Sequence, residues 1–165
     1  MQLLGHVSAR LSRWVLMLAC LCLAGLGVIV IYGVIMRYVF NDAPPYVEQV
    51  ALLLVISVAM FGAAAGVRDA GHIGLDSLVK LTSAGVQRAV GLAVDLAILS
   101  FALVLLWGSV SMGLSTRHDT IPTLGISEAF RYLPMVIAGV LIALFSVEHL
   151  LRTLVEAADA PQGVH

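Results

Sequence analysis

Nineteen consecutive residues between Glu48 and Arg68 carry no formal charge. As a helix rising roughly 1.5 Å per residue they would extend about 28 Å. That is close to the roughly 30 Å hydrocarbon thickness of a bilayer. A carboxylate, Glu48, marks one end of the stretch, and an Arg-Asp-x-Gly-His turn (Arg68, Gly71, His72) marks the other. The stretch reads as a membrane span, and the rest of the chain is arranged around it.

Composition supports the same reading. Of 165 residues, 61% are hydrophobic and 12% charged, with a mean hydropathy of +1.03. Ordinary soluble domains carry about 25% charged residues, and a water-soluble fold of this length cannot hide so much apolar surface. The chain is therefore expected to be integral to a membrane. A net charge of −1 leaves no basic stripe to neutralise phosphates, which excludes a nucleic-acid partner and leaves membrane lipid as the surroundings. Cys20 and Cys22 stand two apart inside one apolar run. They would not face each other on a helix, and they read as small apolar fillers.

Four spans follow from the charge-poor runs, at about 14–36, 48–67, 89–112 and 131–151, in a single membrane domain over 1–165. The first continues well beyond the length of a signal-peptide core, so it reads as a retained anchor. Residues 2–13 read either as a short interfacial helix ending at Trp14 or as a frayed, solvated terminus. Asn41 and Asp42 favour a turn after the first span, and Pro45 suits the start of the second helix. Gly62 and Gly66 form a small-xxx-small face of the kind that lets helices approach closely in lipid, in this chain or between chains. Between the second and third spans, apolar residues at helical spacing predict an amphipathic helix on the membrane surface over about 73–86, breaking near Gly85. Asp95 lies near the start of the third span. An intramembrane carboxylate is a functional candidate by default, and the plainer reading is a pair with Arg88 or another helix end. Ser127 is a plausible N-cap for the fourth helix, with Glu128 in its first turn. The tail from Ala158 onward reads as disordered.

Basic residues orient the chain. With the N-terminus inside, Arg10, Arg13, Arg68, Lys80, Arg88 and Arg152 lie on the inner side, and Arg37, Arg117 and Arg131 on the outer. Both termini are thus expected in the cytoplasm. No nucleotide-binding, metalloprotease or nucleophile-elbow motif occurs, and the five histidines stand at no metal-ligand spacing. Neither a cofactor nor a catalytic residue is expected, and no pair of interrupted spans marks a transporter's own solute site. The chain reads as a component of something larger.

The order of its features resembles the small permease subunit of tripartite ATP-independent periplasmic (TRAP) transporters, the DctQ-like family. The matching pieces are M-R-Y-V-F-N at 36–41, Pro45 with Tyr46-x-Glu48, F-G-A-A at 61–64, R-D-A-G-H-I-G-L-D at 68–76 and T-I-P-T-L-G-I at 120–126. One departure shows. Members usually carry Trp-x-Glu-Glu at the start of the second span, where this chain has Tyr46-Val47-Glu48-Gln49. The resemblance implies a non-enzymatic scaffold in the bacterial inner membrane. Its partners would be a large permease subunit, which moves an organic acid with sodium, and a periplasmic substrate-binding protein.

Candidate interface or structural residues follow. Arg68, His72 and Asp76, at four-residue intervals beside Gly71, are expected to fix the cytoplasmic turn and dock the amphipathic helix. Glu48 is expected to pair with Arg37, Arg131 or a permease residue. Gly62, Gly66 and Asp95 complete the set. Two competing readings are the small subunit of a tripartite tricarboxylate-type transporter and a free-standing four-helix membrane oxidoreductase. The Arg-Asp-x-Gly-His-Ile run speaks against the first, and the scattered histidines against the second.

Overall fold

The computed structural model describes residues 2–70 and 84–159. Helix α1 spans Gln2–Val39, α2 Pro45–Ala70, α3 Ala84–Ser115 and α4 Leu133–Asp159. A single 3-10 turn, Glu128–Tyr132, leads into α4. The expected all-α membrane architecture is borne out, with four helices among the described residues long and apolar enough to cross a bilayer. Hydrocarbon offers no partner for a backbone N–H or C=O, so each segment must satisfy its own, and helix is the form that does so. Two buried hydroxyls follow the same rule, whereas those of Ser8 and Ser146 find no partner among the described residues. Ser57 donates to the Leu53 carbonyl at 2.7 Å and Ser109 to the Leu105 carbonyl at 2.6 Å.

The helices stand in a row in the order α1, α2, α4, α3. Helix α1 packs along α2, α2 along α4, and α4 along α3, with a slight contact between α1 and α4. Chain order and spatial order therefore differ. Helix α4, last in sequence, sits inside the row, and 39% of its most apolar stretch is buried, against 6% for α3. The core joins Val15 and Ala19 of α1, Phe61 and Ala64 of α2, Ala102 of α3, and Ala138, Ile142 and Phe145 of α4. Ala64, Ala102 and Ala138 are fully buried. Alanine at these positions is consistent with packing in lipid, where apolar burial drives nothing and close backbone approach supplies the contact energy.

Two details depart from expectation. Residues 2–13 are helical and continuous with the first span, so α1, with 38 residues, is about 57 Å long and outreaches the roughly 30 Å hydrocarbon layer. The predicted surface helix over 73–86 falls almost wholly outside the described residues, which resume at Ala84 with α3. Ser127 caps the 3-10 turn instead of an α-helix, accepting from the Ala129 amide at 3.3 Å. Pro134 accounts for this, because a regular α-helix from Glu128 would drive its ring into the Phe130 carbonyl. Starting α4 at Leu133 puts the proline in the first turn, where it is tolerated.

Two glycines serve the row directly. A Cβ on Gly139 would lie 3.3 Å from the Leu106 Cβ and 3.4 Å from its Cα and backbone nitrogen, and one on Gly33 would lie 2.7 Å from a methyl carbon of Val47. A Cβ on Gly62 or Gly66, by contrast, would meet nothing within 4 Å among the described residues beyond its own helix. Gly139→Val is therefore expected to destabilise the chain by about 1–3 kcal/mol through overpacking against α3. Gly66→Val should leave stability within about 0.5 kcal/mol. Thermal unfolding in mild detergent, followed by circular dichroism, checks the contrast.

Candidate functional site

Polar side chains collect at the two ends of the row. One end gathers the C-terminus of α1, the N-terminus of α2, the C-terminus of α3 and the 3-10 turn before α4. Asn41 stops α1 by adopting a left-handed backbone, φ 52°, and the next amide, Asp42, returns to the Met36 carbonyl at 3.1 Å. Asparagine tolerates this conformation better than most residues. Glu48 emerges in the first turn of α2, where the helix dipole favours a carboxylate.

The stretch 120–126 folds as a cap over this end. Thr120 bridges to Ser127, the Ile121 amide donates to the Ile126 carbonyl at 2.9 Å, and the Gly125 amide donates to the Ile121 carbonyl at 2.9 Å. Gly125 holds φ 65°, which glycine adopts without the steric cost of a side chain. The Ser127 hydroxyl donates to the Arg117 carbonyl at 2.9 Å, and Arg117 donates from Nε to His118 Nε2 at 2.9 Å.

Of the residues expected here, Glu48 reaches Arg37 at 3.4 Å. The side chains are 57% and 74% exposed for Arg37 and Glu48 respectively, so the pair is worth little by itself. Arg131 turns elsewhere. It contacts Glu128 at 3.2 Å and donates to Gln49 Oε1 at 2.8 Å, tying α2 to the 3-10 turn. Gln49, the residue that departs from the family pattern, thus supplies a neutral acceptor for Arg131. The Tyr32 and Tyr46 hydroxyls meet at 2.9 Å between α1 and α2. Gln49 stood out in sequence only as that departure, with no partner foreseen, and Tyr32 was not singled out. Their signal was no more than polarity beside a predicted span end.

At the opposite end Asp95 of α3 faces His149 of α4 at 4.0 Å, with side chains 15% and 21% exposed for Asp95 and His149. The approach is too long for a hydrogen bond and becomes an ion pair when the imidazole is protonated. The histidine was not foreseen, because the two residues lie far apart in sequence and meet only through the packing of α3 on α4. Arg68 closes the last turn of α2, half-buried, where a cation suits the helix dipole. Gly71, His72 and Asp76 lie outside the described residues. Cys20 and Cys22 are free, and Cys22 packs against the core. Among the described residues no three His, Cys, Asp or Glu side chains converge.

Four apolar helices with polar side chains gathered at both ends define a polytopic membrane component. Residues 26–156 match the family described as tripartite ATP-independent periplasmic transporters, DctQ component, and the chain belongs to that family. It is 24% identical over 132 residues to a Haemophilus influenzae protein named for a TRAP transporter small permease, covering 80% of this chain and 82% of that protein. A second Haemophilus influenzae protein of the same name is 20% identical over 131 residues, 79% of each chain. The C4-dicarboxylate TRAP transporter small permease protein DctQ of Vibrio cholerae is 32% identical over 77 residues, 47% of this chain and 33% of that protein. The likeness read from the motifs at 36–41, 61–64, 68–76 and 120–126 is borne out. The family is one of transporter components and not of enzymes.

The Arg131–Gln49 link generates an ordered expectation. Gln49→Ala removes an acceptor and should lower stability by about 1 kcal/mol. Gln49→Glu converts the contact to a charge-assisted bond and should raise stability by a similar amount, about 1 kcal/mol. Melting temperatures of the three proteins in one detergent, falling in the order Glu, Gln, Ala, are the readout.

Proposed function

We propose that this chain is the scaffold of a TRAP-type secondary transporter in a bacterial inner membrane. It holds a large permease subunit that takes up an organic acid with sodium, and the acid arrives on a periplasmic binding protein. One observation carries the scaffold reading. The small-residue face of α2 at Gly62 and Gly66 has room for a side chain among the described residues, whereas Gly33, Ala64, Ala138 and Gly139 are used for internal contacts. A face cut for close approach and left open within the row suits a helix of another subunit. The organic acid and the sodium rest on the family alone.

On this reading Arg68, His72 and Asp76 act on the cytoplasmic side, fixing the turn after α2 and docking a surface helix. Asp95 with His149 clasps α3 to α4 at the same end, and Glu48 belongs to the outer rim with Arg37. Both termini lie in the cytoplasm, supported by six basic residues against three on the outer side.

Co-purification tests the assembly. The tagged wild-type chain should draw down a large multi-span permease at near-equal stoichiometry. The double variant Gly62→Leu/Gly66→Leu should lose at least tenfold of it while keeping the wild-type melting temperature. Arg68→Ala/His72→Ala should weaken assembly and uptake together. Full recovery of permease by the glycine variant would reject the α2 face as the contact. Topology is read separately. A C-terminal green fluorescent protein fusion should fluoresce, and a C-terminal alkaline phosphatase fusion should be inactive; the reverse pattern would invert the orientation.

A further inference from the structure

Between the last turns of α1 and the first turns of α2 lies a half-open cleft of about 290 Å³. Away from Arg37 and Glu48 its lining is apolar, with Val30, Val34 and Ala51, and Gly33 lies there against the Val47 side chain. Its mouth carries Arg37 and Glu48, with Tyr38 beside them. Arg37 ends the uncharged run of the first span, which sets the mouth at headgroup depth and the floor within the hydrocarbon. The charges at the mouth are poorly satisfied by each other. Their 3.4 Å separation is long beside the roughly 2.7–2.9 Å of a good guanidinium–carboxylate bond, and both side chains remain largely exposed.

We propose that this cleft binds one membrane phospholipid whose headgroup carries both a phosphate and a primary ammonium, a phosphatidylethanolamine. The phosphate accepts hydrogen bonds from the Arg37 guanidinium, the ammonium donates to the Glu48 carboxylate, and an acyl chain lies over Val30, Val34 and Ala51. A cation and an anion presented side by side match a zwitterion of the opposite order, and each group gains a better partner than the stretched pair provides. The selectivity must come from the headgroup. An acyl chain moving from lipid into an apolar cleft exchanges one hydrocarbon environment for another, so the tail supplies fit and depth but no net transfer energy. A choline headgroup has no N–H to give Glu48, and a glycerol headgroup has no cation, so both are discriminated against. This inference stands apart from the transport reading and holds whether or not a permease lies on the α2 face.

Native mass spectrometry of the full chain in mild detergent, titrated with palmitoyl-oleoyl phosphatidylethanolamine, phosphatidylcholine or phosphatidylglycerol, tests it. The wild-type chain should retain one phosphatidylethanolamine with at least fivefold preference over the other two. Arg37→Gln/Glu48→Gln, which alters only exposed side chains, should abolish that preference. Ala51→Phe, which fills the floor, should reduce retention of all three lipids. Equal retention of the three lipids by the wild-type chain would overturn the proposal. So would an undiminished preference in the Arg37→Gln/Glu48→Gln variant, or displacement of the lipid by free phosphoethanolamine at the same concentration.

Discussion

In a bilayer two helices gain nothing by hiding leucine from leucine, because the lipid they leave is as apolar as the neighbour they meet. What remains is contact at short range, and contact requires the backbones to come close. The row α1, α2, α4, α3 depends on this constraint. Its core is made at alanines and glycines: Ala64 on α2, Ala102 on α3, and Ala138 with Gly139 on α4. The large side chains Phe145 and Ile142 fill the space those small residues open. Elsewhere bulky residues point outward, and α3 presents Phe101, Val104 and Trp107 to its surroundings. A soluble protein with such a surface would aggregate. In lipid the same surface is the ordinary exterior.

The second organising element is the treatment of helix ends. Each helix leaves four amides and four carbonyls without internal partners, and these lie where the membrane gives way to water. The chain uses short polar devices there: Asn41 in a left-handed turn, the Ser127 cap, Gly125 folding 120–126 back on itself, and the Gln49–Arg131 bond across to the next helix. Local chemistry and global arrangement meet at these positions. Arg131 can join α2 to the 3-10 turn only because α2 and α4 are neighbours in the row. Membership of the TRAP small-permease family fits a body of this kind, built to hold its shape at both membrane surfaces and to offer long apolar flanks to a partner.

Much of this was legible in sequence. Uncharged runs of bilayer length, Pro45 at a helix start and Ser127 as a cap each rest on physics acting over a few residues. Helix ends were read less well. Pro134 acts on a carbonyl four residues back and displaced the start of α4 into a 3-10 turn. The candidate site was read in part. Glu48 found Arg37, one of the partners foreseen, whereas Arg131 found Gln49, and Asp95 found His149.

The sequence alone determined that the chain has four segments long and apolar enough to cross a membrane, where their polar ends fall and which family it belongs to, because these depend on runs of charge-free residues and on local motifs. Tertiary structure decided which helices are neighbours, that α4 enters the row between α2 and α3, and therefore which small residues are consumed internally. Nothing local distinguishes Gly139, pressed against Leu106, from Gly66, which faces open space. Both are glycines in apolar helices, and only the rotation of each helix about its axis against a particular neighbour separates a packing residue from an unoccupied face.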